Sequence, residues 1–240
     1  MNFKFTLAYN GSNFKGSQRQ IKDKTIENEI LKVFSKLGIE ENILMSGRTD
    51  KGVHALAQVF SADIPIVLAD EKVLKKVLNH SLDPALRITK VEKCSKDFHA
   101  RFSAKTRTYR YLVKSCPLNA FEGDFFAYFP NINEKLIKQA IKLFVGEHDF
   151  EYFHKLGSEK TNFIRKVYFA RFYKHKDFYV FSFKANSYLR SQVRLIVGAL
   201  FALNEGKINI KDIEKQLEKK QKIHFRLAIP NGLYLAKIGY

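Results

Sequence analysis

One carboxylate in this 240-residue chain is set among residues that can present chemistry: Asp50, in the stretch Ser46–Phe60, SGRTDKGVHALAQVF. Gly47 and Gly52 flank an Arg-Thr-Asp-Lys quartet, so the backbone can take positive φ on either side and lift four polar side chains out of the fold. A loop built like that presents chemistry. On local composition alone, the same residues also describe a glycine-rich turn in which Asp50 only hydrogen-bonds its own backbone.

Two other segments carry residues of chemical interest. In Phe98–Val113, FHARFSAKTRTYRYLV, the cations Arg101, Lys105, Arg107 and Arg110 interleave with Phe98, Phe102, Tyr109 and Tyr111. Cations can meet phosphates while an aromatic ring stacks on a base, a contact worth about 1–3 kcal/mol per base. A strand with one aromatic face in the core and one basic face in water fits most of these residues equally well. Tyr109 is set apart, because period-two alternation puts Arg107 on its side and a cation beside its ring. In Tyr188–Leu203, YLRSQVRLIVGALFAL, Arg194 lies among core-type neighbours, where a guanidinium calls for a carboxylate or must snorkel to the surface.

The elements that must position these residues follow from periodicity. Asn2–Tyr9 alternates as a strand and leads into the loop Asn10–Gln20, NGSNFKGSQRQ, whose Lys15 and Arg19 can lie along a phosphate backbone. Thr25–Leu37 predicts a helix stopped by Gly38, and the Asp50 loop feeds an alternating strand over Val53–Phe60. Asp70 and Asn133 are predicted to cap two more helices, carrying Val73, Leu74, Val77 and Leu78 in one and Leu136, Ile137, Ala140, Ile141 and Phe144 in the other. Leu86–Cys94 is a weaker strand pattern. Phe163–Tyr173 and Phe178–Ala185 read as a hairpin, Tyr188–Leu203 as an apolar helix, Ile210–Lys219 as a basic amphipathic helix, and Gly232–Ile238 as a closing strand. The strand-helix-strand plan recurs in each half without a repeat in the sequence.

Composition narrows the class of function. With 42 Lys and Arg against 24 Asp and Glu, the formal net charge is +18, which predicts an anionic partner, most plausibly a nucleic acid, through phosphate neutralisation and counterion release. Hydrophobic residues at 45%, with 22 Phe and 11 Tyr, suffice for a sizeable core. Cys94 and Cys116 fit neither a CxxC pair nor a disulfide framework, so a reducing, cytoplasmic setting is expected. No long apolar run predicts a membrane span, and MNFKFTLAYN lacks the hydrophobic core of a signal peptide. There is no GxGxxG loop, P-loop or HExxH pair, so no cofactor is expected. Of seven His, only His148 and His154 lie at a plausible ligand separation, and a pair amid aromatics reads as structural, so no metal is expected either.

Taken together, SGRTDKGVHA, RFSAKTRTYRY, the QVRLIVGAL helix and the terminal GLYL resemble the TruA family of tRNA pseudouridine synthases. The resemblance runs end to end and includes the NGSNFKGSQRQ loop and DFHARFSA. It implies an α/β (α+β type) fold, the pseudouridine synthase fold. Two related halves with mainly antiparallel sheets, residues 1–97 with the aspartate loop and 98–240, would join across a basic central cleft. It also implies a homodimer acting on the tRNA anticodon stem-loop at uridines 38, 39 and 40 without a cofactor. Residue by residue, it assigns the catalytic nucleophile to Asp50, the active-site tyrosine to Tyr109, the ion-pair partner of the aspartate to Arg194, and an RNA-near position to Arg48. Ser17 stands where the family usually has an aromatic, Ala57 where it usually has glycine, and Ser191-Gln192 vary the segment before the helix arginine. Charge and interleaved aromatics alone fit a second class of function, a noncatalytic basic RNA-binding or RNA-folding protein.

Overall fold

The computed structural model describes residues 1–40, 42–157, 162–223 and 226–240. It is a mixed α/β fold with mostly antiparallel strands and, among the described residues, five α-helices. The chain divides into two compact units, Met1–Lys105 with Tyr234–Tyr240, and Thr106–Leu233. No helix among the described residues is long and apolar enough to cross a membrane.

In the first unit, β1 (Asn2–Tyr9) lies antiparallel between β3 (His54–Asp63) and β4 (Leu86–Lys93). The two-residue β2 (Leu44–Met45) pairs with the far end of β3, and β10 (Leu233–Gly239) joins the near end in parallel, Tyr234 opposite His54. Phe3, Phe5, Leu7 and Tyr9 alternate into the core as β1's pattern requires, and Phe5 stacks on Phe60 at 4.5 Å. Helix α1 (Ile26–Lys36) covers that face with Ile26, Ile30, Val33 and Phe34. Its start is the predicted one: Thr25 accepts from the Asn28 N–H at 3.2 Å, and Gly38 at φ +69° leaves the last turn. Asp70 caps α2 (Glu71–Ser81) by the same chemistry, accepting from Val73 N.

In the second unit the order is β5 (Thr106–Lys114), β9 (Phe178–Ala185), β8 (Ile164–His175) and β7 (Gly146–Asp149), all antiparallel, with the short β6 (Ala127–Tyr128) parallel to β5. Tyr111, Phe181, Phe201 and Phe129 make its aromatic core, the last two stacked at 4.1 Å. Asn133 caps α3 (Glu134–Ala140), and Asn209 caps α5 (Ile210–Leu217) in a reciprocal box with Asp212.

Helix α4 (Gln192–Asn204) begins four residues later than its apolar run predicts. Ser191 sits at φ +56°, and the Gln192 side chain turns back to accept from the Leu189 N–H at 2.8 Å, so Tyr188–Ser191 form the turn that leads into the helix. Further along, a Cβ on Gly198 would stand 2.0 Å from the Arg226 carbonyl oxygen. Only glycine lets the helix lie this close to the 226–228 backbone, and that contact decides where Arg194 points.

Candidate active site

Within the first unit, the loop from Ser46 to His54 is held at both stems and at its centre. At the first stem, the fully buried Gln58 takes a hydrogen bond from Ser46 Oγ at 2.6 Å and donates to the Gly47 carbonyl at 2.9 Å. At the second stem, Asp50 O accepts from Val53 N, Gly52 takes φ +79°, and His54 Nδ1 accepts from the Gly11 N–H at 3.0 Å. Because His54 Nδ1 is an acceptor there, the neutral ring carries its proton on Nε2. The same ring stacks on Tyr234 at 4.6 Å.

The centre is anchored through Thr49. Its N–H donates to Ser17 Oγ at 2.8 Å, its carbonyl accepts from Ser17 N at 3.1 Å, and its hydroxyl bonds Tyr9 Oη at 2.8 Å. Gly16, at φ +105°, packs so tightly that a Cβ would meet the Thr49 oxygen at 3.0 Å. Thr49 and Ser17 are buried, at 8% and 1% exposure, whereas Arg48 and Lys51 are exposed and Asp50 is half-buried. With Thr49 buried and fixed by these bonds and its neighbours on both sides less buried, Asp50 is displayed next to a backbone that cannot slide.

The other two predicted site residues belong to the second unit. Tyr109, half-buried on β5, has the ring of Tyr188 edge-on at 5.1 Å. Arg107, on the same side of the strand, donates to the Asn186 carbonyl at 2.9 Å. Arg194, half-buried on α4, donates from Nε to the Ala228 carbonyl at 2.7 Å, and Ala228 N returns a bond to Arg194 O. Burial pushes the Tyr111 hydroxyl well above its usual pKa, and the charge of Arg194 opposes that shift. Asp50 and Arg48 thus belong to one compact unit, and Tyr109 and Arg194 to the other. His148 and His154 each place a ring nitrogen against a backbone carbonyl, of Val145 and Glu151 respectively.

The supports of the loop were not foreseen from sequence. Gly11 and Gly16 were readable only as loop glycines and Ser17 only as a departure from a pattern. Tyr9 and Gln58 looked like ordinary strand positions. Their shared signal is a polar group at a core position, which is informative once the strand register is known.

The family model described as tRNA pseudouridine synthase matches residues 7–103 and 140–240. This chain belongs to that family. Among its relatives, the tRNA pseudouridine synthase A of Campylobacter jejuni is 37% identical over the whole of both chains. That of Wolinella succinogenes is 37% identical over 98% of this chain and 92% of its own, and that of Phytoplasma mali 35% over 100% and 98%. The archaeal box H/ACA sRNP Nop10–Cbf5 complex matches at TM-score 0.35 and 11% identity, over 83% of this chain and 43% of that one. Arg194 and the Asp50 loop lie inside the segments matched by the tRNA pseudouridine synthase model, a family of isomerases that act on tRNA, whereas Tyr109 lies between the two segments.

Proposed function

We propose that this pseudouridine synthase acts on uridines of the tRNA anticodon stem-loop, positions 38, 39 and 40 by family resemblance, with Asp50 as the reacting carboxylate and no cofactor. The isomerisation breaks the bond from ribose C1′ to the base N1 and forms one from C1′ to C5, while the C5 proton is lost and N1 ends protonated. Atoms balance within the nucleoside, so what the protein must supply is a charged group at the sugar or base, a hold on the detached uracil, and exclusion of water.

Asp50 is assigned the first task. The observation that carries the reading is its placement, half-buried beside a buried, triply hydrogen-bonded Thr49. A carboxylate fixed in this way loses little freedom when it meets the sugar, which is the benefit of preorganisation. Tyr109 is assigned the second task, stacking on a base that has left its helix. Arg194, whose Nε donates to the Ala228 carbonyl, is assigned as the ionic partner of Asp50. Arg48, exposed two residues before Asp50, is positioned to meet the phosphate backbone. The basic composition supports a wide, salt-sensitive contact with RNA, and we assign the working form as a homodimer.

The test is to map pseudouridine in tRNA from a strain lacking this gene, complemented with the wild-type or the Asp50→Asn protein. Wild type restores pseudouridine at 38, 39 and 40 and Asp50→Asn does not. Restoration elsewhere in the tRNA would move the substrate site. A wild-type protein that binds tRNA and modifies nothing would make the chain an RNA-binding protein.

A further inference from the structure

The turn that leads into α4 holds two buried polar atoms that the residues around them do not satisfy. Tyr188 Oη and Gln192 Nε2 are both shielded from solvent and have no hydrogen-bond partner among the described residues. A buried hydroxyl or amide without a partner is costly, and native structures hold few of them. The side chains themselves are well seated: Gln192 is 1% exposed with its Oε1 engaged by Leu189 N, and the Tyr188 ring lies edge-on to Tyr109. Phenylalanine would fill the ring's place without the cost of the hydroxyl.

We infer that Tyr188 is a substrate-contacting residue whose hydroxyl is satisfied by a carbonyl oxygen of the pyrimidine that Tyr109 receives. The hydroxyl is the donor, and the uracil edge, which alternates carbonyl, imide N–H and carbonyl, offers an acceptor on either side. The Tyr109 ring lies edge-on to Tyr188 at 5.1 Å, so a base that stacks on Tyr109 brings its polar edge near the turn. Burial and the neighbouring Tyr109 hydroxyl hold the Tyr188 pKa well above its usual value, which keeps it protonated as a donor throughout the working pH range. The inference rests on the assignment of Tyr109 as the base platform.

Tyr188→Phe tests it, because the two possible roles of the hydroxyl predict opposite signs. A group unsatisfied in the free protein and satisfied in the complex gives a variant that melts at the wild-type temperature or higher, with kcat/KM on tRNA reduced about 3- to 10-fold. A hydroxyl with a structural partner gives a variant that melts lower, and that result overturns the inference. So does a variant as active as wild type. If Tyr109→Ala leaves kcat/KM unchanged while Tyr188→Phe lowers it, the platform assignment fails instead, and the contact passes to another part of the RNA. A wild-type protein without activity sinks both.

Discussion

Removing one oxygen, in Ser17→Ala, tests the claim that the early loop fixes the reacting carboxylate. Ser17 Oγ is the acceptor for the Thr49 N–H at 2.8 Å, and both residues are buried, at 1% and 8% exposure. Water does not replace the lost oxygen in so closed a place, so the variant bears the cost of an unsatisfied buried N–H, about 1–3 kcal/mol. In a chain of this size that lowers the melting temperature by about 2–10 °C. The bond from Ser17 N to Thr49 O and the bond from Tyr9 remain, so the unit folds but the loop is less constrained. Asp50 is the next residue, and a displacement of about 1 Å at a reacting group can slow a reaction about 100-fold. We expect kcat to fall about 10- to 100-fold with KM for tRNA nearly unchanged, and Ser17→Thr, which keeps the hydroxyl, to recover most of the loss. Tritium release from tRNA labelled at uridine C5 gives both constants. A Ser17→Ala protein with wild-type melting and wild-type kcat would refute the reasoning, since it would mean that Thr49 is held without Ser17.

Other consequences follow from the second unit. Gly198→Ala improves helix propensity by about 1 kcal/mol, but the added Cβ would sit 2.0 Å from the Arg226 oxygen. The clash wins, so the urea midpoint should fall by the equivalent of about 1–3 kcal/mol and turnover should slow as Arg194 shifts with its helix. Lys114 is 7% exposed and bridges Glu122 and Asp177, whose carboxyls its hydrogen bonds hold below their ordinary range. A lowered folded pKa gives stability that is full above the unfolded value and lost as pH falls through the folded one, here below about pH 4. Lys114 is raised by the same bonds, so its own share is present at neutral pH and lost only in strong alkali. Lys114→Met should therefore show a shallower loss of melting temperature on acidification than wild type, and parallel curves would argue that the bridge contributes nothing.

How much of this was legible in the sequence depended on how local the cause was. Asp70 and Asn133 were readable as helix caps because the cap bonds a backbone N–H only three residues ahead. β1 and the β8–β9 hairpin were readable because alternation is itself local. The start of α4 was not, since Tyr188–Ser191 have helix-compatible side chains and the break comes from Ser191 at φ +56° and the back-bond of Gln192. Arg194 stood out as a guanidinium among apolar neighbours, yet the carbonyl it bonds lies 34 residues away at Ala228. The clamp on the Asp50 loop was equally hidden, because Ser17 and Tyr9 reach Thr49 across 32 and 40 residues. Sequence motifs marked the displayed residues, whereas the residues that hold them in place became visible only with the register of β1 against β3.

The central claim is that one fixed carboxylate carries the reaction. It is tested most directly by Asp50→Asn, an isosteric change that leaves the loop's hydrogen bonds through Thr49 and Gln58 untouched. With enzyme in excess over tRNA labelled at uridine C5, the variant is predicted to bind the RNA as wild type does and to release no tritium above the protein-free rate. Release at the wild-type rate would contradict the account.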